Sequence, residues 1–331
     1  MNIFKKIFST KSAPRLEYVF DEFSPLTNLT LISPRCGISK SFNNLINQPS
    51  TQIIVYGKKR VGKSTLMIRI LDDFCSQKQI TRLRIVCNQK MTAHSFMSLI
   101  LDSLGTFKTK EFVEFNRNEE TNFVQLSPGP IMMGFKENKQ KELQIKRSAW
   151  NLDIIVEKLV KVLLDRGTIL FLDDVERVMD FELIDCIQVL ARLLSDSENN
   201  CHRMKAKLII SYSSPDKEKI GKKFDVESNG FKMIEIPPMT ADEIYKLVSL
   251  GSQAAFMDLS ENVIQNIVRM SDGMPAKANS ICLQTGLAIA EFWGIKDNRL
   301  TGDEPEVSEF WFNKYVMPLI SDNLNKKTAL V

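Results

Sequence analysis

Gly57-Lys58-Lys59-Arg60-Val61-Gly62-Lys63-Ser64-Thr65 follows the spacing G-x-x-x-x-G-K-[ST]. Glycines at that spacing let a loop curl until its backbone N–H groups converge on an anion, and a helix opening behind it adds partial positive charge. Gly57, Lys58, Arg60, Val61, Gly62, Lys63, Ser64 and Thr65 are therefore expected to line a phosphate group. Lys63 would reach the β- and γ-phosphates of a nucleoside triphosphate, and Ser64 a magnesium ion.

A second set of residues suits the same chemistry. The apolar run Thr168-Ile169-Leu170-Phe171-Leu172 ends in Asp173-Asp174, about 110 residues beyond the loop. A carboxylate at the end of a buried strand is the usual partner of such a loop, so Asp173 is expected to hold the metal directly or through water. Asp174 would orient and deprotonate the attacking water, with Glu176 as the alternative base. The plainer alternative is a strand running into a capped acidic turn. A third run, Lys207-Leu208-Ile209-Ile210-Ser211-Tyr212-Ser213-Ser214, ends in hydroxyls. Ser211 or Ser213 could sense the γ-phosphate, or the run is simply a hydroxyl-rich turn before Pro215.

Positioning these groups requires a sheet. Gln52-Ile53-Ile54-Val55-Tyr56 is a β-branched run ending at Gly57, and Leu66, Ile70, Leu71 and Phe74 then recur at helical spacing. Strands are predicted over 52–56, 82–87, 168–172, 206–212 and 232–236. Helices are predicted over 63–77, 92–104, 150–165 and 181–196, with a short one at 41–46. This alternation implies an α/β fold, a parallel sheet sandwiched by helices, with ligand at the carboxyl edge of the strands.

Residues 106–148 interrupt that order. Phe112–Phe115, Asn122–Leu126 and Ile131–Phe135 cluster like short strands around Ser127-Pro128-Gly129-Pro130, which reads as a β-hairpin insertion. It is either an interaction element or a solvated hairpin. From Met239 the pattern becomes wholly helical. Thr240 and Glu243 form a capping box, and helices are predicted over 240–250, 259–271 and 275–292. A last helix, about Val307 to Leu324, carries Phe310, Trp311, Phe312 and Tyr315, aromatics that suit packing better than base stacking. The expected organisation is an N-terminal arm at 1–30, a core at 31–237, a C-terminal helical lid domain at 238–296 and a helical extension at 297–331.

Composition narrows the function classes. With 25% charged and 44% apolar residues among 331, the chain matches average soluble domains. No run approaches the about 18 apolar residues of a membrane span, so no membrane-spanning segment and a cytoplasmic location are expected. A net charge of +4 permits a local basic surface but is far from a dedicated nucleic-acid binder. The six cysteines lack any C-x-x-C pair and read as reduced thiols; Cys201-His202 has no partners at zinc-ligand spacing. No N-K-x-D motif points to guanine.

The loop through Leu66, the Leu172-Asp173-Asp174-Val175 strand end and the Gly273-Met274-Pro275 turn resemble the STAND and AAA+ classes of P-loop ATPases. The nearest pattern is the prokaryotic STAND or archaeal-ATPase type, and more distantly the origin-recognition and transposition-regulator ATPases. The likeness spans about residues 31–292. It implies a P-loop NTPase core with a helical lid, ATP and Mg2+ as cofactors, and slow or partner-stimulated hydrolysis to ADP. It also brings Pro275 into the site. Two departures are visible: residues 216–232 hold no arginine, and the helix after Gly273 offers Lys277 where the class commonly has an arginine. Lys277 is thus the candidate γ-phosphate sensor, against an ordinary exposed helix lysine. The implied function is an ATP-operated molecular switch acting on a protein partner or through self-assembly, in defence or mobile-element biology. The alternative is a DNA-associated ATPase.

Overall fold

The computed structural model describes residues 14–20, 35–104, 124–127, 131–132, 152–199, 206–302 and 304–321. The strands are β1 (Gln52–Gly57), β2 (Thr81–Val86), β3 (Val124–Ser127), β4 (Ile131–Met132), β5 (Thr168–Asp173), β6 (Lys207–Ser213) and β7 (Phe231–Glu235). The helices are α1 (Leu16–Val19), α2 (Cys36–Ile46), α3 (Lys63–Lys78), α4 (Ala93–Ser103), α5 (Leu152–Arg166) and α6 (Phe181–Asn199). They continue with α7 (Lys217–Phe224), α8 (Ala241–Ala254), α9 (Glu261–Ser271), α10 (Pro275–Phe292) and α11 (Glu309–Tyr315). The chain divides into two compact units. A sheet unit takes Cys36–Lys58 and Ile70–Ile236; a helical unit takes the described residues up to Arg35, Lys59–Arg69 and those from Pro237 onward.

In the sheet unit the strand order is β4-β3-β2-β5-β6-β1-β7. The run from β2 through β5, β6 and β1 to β7 is parallel, as the strand–helix alternation requires. β3 and β4 are antiparallel, pairing Arg82 with Ser127 and Leu126 with Ile131. The expected hairpin therefore does not stand apart from the core. It continues the sheet at the free edge of β2, which makes a parallel sheet into a mixed one and covers backbone groups that an edge strand would leave open. The strands expected at 112–115 and 133–135 lie outside the described residues.

Every residue of β1 and β5 is buried, which accounts for their unbroken apolar runs. Ile54, Leu83, Ile85, Leu170, Leu172, Leu208 and Ile210 line one face and share a core with Phe96 and Ile100 of α4, Leu159 and Leu163 of α5, and Leu183, Ile187 and Leu190 of α6. Each such side chain contributes about 1.5–3 kcal/mol by leaving water. Four cysteines, Cys75, Cys87, Cys186 and Cys282, are free and buried, and burial pushes the Cys75 thiol up to about 11.

The helical unit is built on α8, α9 and α10. The Thr240 hydroxyl accepts from Glu243 N at 3.2 Å while Thr240 N donates to Glu243 at 3.0 Å, the reciprocal box that the sequence encodes. The last helix starts later than the periodicity suggests. Ser308 caps α11 through Trp311 N, and Val307 instead bridges to Leu259, so both residues leave the helices assigned to them. Leu16 and Phe20 of the N-terminal turn pack into this unit. A Cβ on Gly251 would lie 2.4 Å from Phe20 Cε1, and one on Gly286 2.8 Å from Leu16. Among the described residues, no helix is long and apolar enough to cross a membrane.

Candidate nucleotide site

The carboxyl edge of the sheet holds Gly57, Asp173, Asp174, Glu176 and Ser211, whereas residues 60–65, Pro275 and Lys277 belong to the helical unit. β1 ends at Gly57, β5 at Asp173 and β6 at Ser213, and β6 lies between the other two. Gly57 is fixed by its neighbours. Its φ is +153°, and a Cβ there would sit 2.3 Å from the carbonyl oxygen of Ile236, closer than any real contact. Chain direction thus changes at a point where only glycine fits.

Beyond Gly57 the chain passes Lys58 and Lys59, both exposed, as is Arg60. Arg60 adopts φ +68° and Gly62 φ +85°. A left-handed non-glycine residue costs on the order of 1 kcal/mol or more and persists where the surroundings dictate it. Val61 is fully buried and Lys63 is 5% exposed, whereas Ser64 and Thr65 are half-buried. Leu66 N donates to Gly62 O at 2.9 Å, so α3 begins directly from the loop and points its N-terminus into it. A Cβ on Gly62 would meet Pro275 Cγ at 3.4 Å. The structure therefore brings Pro275 to the loop, with Pro275 as the first residue of α10. Lys277, two residues further, is exposed. Gly273 makes that turn possible at φ +69°, where a Cβ would fall 2.6 Å from Met239 O.

Asp173 is 1% exposed, and its carbonyl accepts from Cys87 N at 2.8 Å. Burial and the carboxylates of Asp173, Asp174 and Glu176 together push the Cys87 thiol up, which marks a concentrated negative field at this edge. Asp174 is left-handed at φ 59° and its carboxylate accepts from Arg177 at 3.2 Å, an exposed pair worth little. Glu176, in the 3-10 turn Val175–Arg177, accepts from Ser213 N at 3.0 Å. That bond ties the turn to β6. Leu172 pairs with Ile210, so Ser211 stands level with Asp173, while Ser213 is paired with Gly57 further out. Ser211 is fully buried and its hydroxyl has no hydrogen-bond partner. An orphaned buried hydroxyl level with Asp173 suits polar ligand chemistry at this edge.

Two basic residues escaped sequence reasoning. Arg84 on β2 binds Asp173 at 2.6 Å. Arg35, 3% exposed, donates to the carbonyls of Pro237 at 2.8 Å and Pro238 at 3.2 Å and lies 3.5 Å from Glu243. It secures the start of the helical unit's main bundle; burial lowers its pKa, with Glu243 opposing.

No family model and no curated protein matches the chain. Solved structures do match, at low identity. A Walker-type ATPase of Pyrococcus abyssi aligns at TM-score 0.53 and 16% identity, over 80% of this chain and 71% of that one. Cdc6p of Pyrobaculum aerophilum aligns at TM-score 0.56 and 15% identity, over 84% and 66%. The ORC1 protein of Aeropyrum pernix, solved in complex with DNA, aligns at TM-score 0.51 and 13% identity, over 86% and 66%. The chain shares the fold of these proteins, a largely parallel sheet flanked by helices with a helical C-terminal region. It spans about two thirds of the length of the latter two structures.

Proposed function

We propose that the chain binds ATP with magnesium and hydrolyses it slowly, as a switch that couples nucleotide state to a partner. The observation that carries this is Gly57, where the close approach of Ile236 forces the chain into a loop that opens a helix at a buried lysine. Loop amides and Lys63 are suited to neutralise the triphosphate, and Ser64 and Asp173 each carry an oxygen of the kind magnesium takes. The metal, when bound, stabilises charge on the β- and γ-phosphate oxygens. Asp174 orients the attacking water and accepts its proton, Glu176 holds the turn that carries Asp174, and Ser211 reports on the γ-phosphate. The proximity of Gly62 to Pro275 supports a route by which a filled loop is felt in α10, with Lys277 available to the terminal phosphate from the same helix.

A second reading, a DNA-associated ATPase, draws support from likeness to the ORC1 protein solved with DNA. One experiment separates them: nucleotide binding and turnover by wild type, Lys63→Ala and Asp174→Asn, with and without double-stranded DNA. We expect Lys63→Ala to weaken ATP binding by about a hundredfold or more, since it removes a charged partner of the phosphates. Asp174→Asn should bind ATP and lose turnover. Binding that ignores Lys63 would sink the nucleotide reading. Several-fold stimulation by DNA would promote the second one, and a wild type that binds but never turns over would leave a nucleotide-held scaffold.

A further inference from the structure

Asp173 is already held by a cation. Arg84 Nη2 lies 2.6 Å from Asp173 Oδ2, with the two side chains 14% and 2% exposed. Strand register brings this about. Val86 is paired with Asp173, so Arg84 stands two residues back on the adjacent strand and its side chain leaves the sheet on the same face.

Arg82, the preceding residue on that face, is matched by Asp72 of α3 at 2.7 Å. The Nε of Arg84, like that of Arg82, is buried with no hydrogen-bond partner. A planar guanidinium with five donors usually satisfies them when buried. Arg84 reaches one carboxylate oxygen and forgoes a donor to do so. A divalent metal requires the same carboxylate, both its lone pairs and its charge. An arginine at hydrogen-bond distance occupies one oxygen and offsets that charge, so the carboxylate is freed when the guanidinium moves away.

Resting on the nucleotide reading above, we infer that Arg84 competes with magnesium for Asp173 and so sets the metal requirement of nucleotide binding. Arg84 is a positioning residue, acting on the metal through Asp173.

The test titrates Mn2+, followed by electron paramagnetic resonance, into the full chain saturated with a non-hydrolysable ATP analogue. Arg84→Met should bind Mn2+ about tenfold more tightly than wild type, a modest gain for removing one charge a few ångströms from a divalent ion. Arg84→Lys, which keeps the charge, should stay within about twofold of wild type. In an Asp173→Asn background, Arg84→Met should have a clearly smaller effect than in wild type, because the part that runs through the carboxylate is gone; an equal effect in both backgrounds would overturn a role through Asp173. If Arg84→Met fails to melt cooperatively, Arg84→Gln makes the same comparison with a donor retained. Metal affinity that is unmoved or weaker in the folded neutral variants overturns the inference. The two ideas fail separately. Analogue binding that needs Lys63, with metal affinity indifferent to Arg84, removes this inference alone; no Lys63-dependent binding removes both.

Discussion

The two units solve the problem of burial differently. The sheet unit buries charge: Arg82, Asp173 and Lys207 are at most 2% exposed, and Gln52 is wholly enclosed. Each is matched by a partner of fixed position. Gln52 accepts from Leu208 N at 2.7 Å and donates to Ser195 at 3.2 Å, and Lys207 reaches Gln48 O at 2.6 Å. The helical unit closes mainly over aliphatic side chains with Phe20 and Phe312 among them, buries Arg35 and Lys63 as its own charges, and leaves two other aromatics half outside. Phe292 and Trp293 are 52% and 51% exposed and stack edge to face at 5.4 Å. Buried pairs tolerate little displacement because a lost partner leaves an uncompensated charge. Apolar contacts give way gradually. The sheet unit is thus the rigid reference, and the helical unit the more forgiving partner.

Three substitutions sharpen or break that contrast. The largest effect is expected from Gly57→Ala, whose Cβ would meet backbone rather than a movable side chain. We expect loss of cooperative thermal unfolding in the sheet unit, and a variant that melts like wild type would show that β1 can shift against Ile236. Asp72→Ala comes next. It takes the Asp72 carboxylate from the buried Arg82 guanidinium, at a cost of about 3 kcal/mol, discounted somewhat because Asp72 is 26% exposed. Urea unfolding should show it, and a change below about 1 kcal/mol would mean that water already serves Arg82. The smallest is Gly251→Ala in the helical unit. The clash at 2.4 Å is with the Phe20 ring, which can rotate away, so about 1–3 kcal/mol is expected from the same measurement. A loss as large as that of Gly57→Ala would overturn the contrast.

What sequence could and could not disclose follows the same line. Local pattern sufficed for the loop, the Asp173 strand end, the Thr240 capping box and the proline that opens α10, because each is set within a few residues. Arg82-Leu83-Arg84 was less informative. Alternating arginines read as a half-solvated strand, yet β2 is an inner strand once β3 pairs beside it, and both arginines turn toward carboxylates that lie elsewhere in the chain. Periodicity carries no information about such partners. Val307 and Leu259 were drawn into helices for a similar reason: they are apolar and in phase, but a bridge between them takes precedence. Ser211 was named from its place near a strand end. Its seclusion, level with Asp173, emerges only from register.

The seat of Leu16 and Phe20 against Gly286 and Gly251 has a consequence in time. A ribosome adding about 5–20 residues per second delivers the first turn on the order of ten seconds or more before Gly286 exists. Through that interval every strand of the sheet is made, while an apolar turn waits without its socket. The helical unit is therefore the last to close, and its oldest residues are the ones most in need of shelter during synthesis.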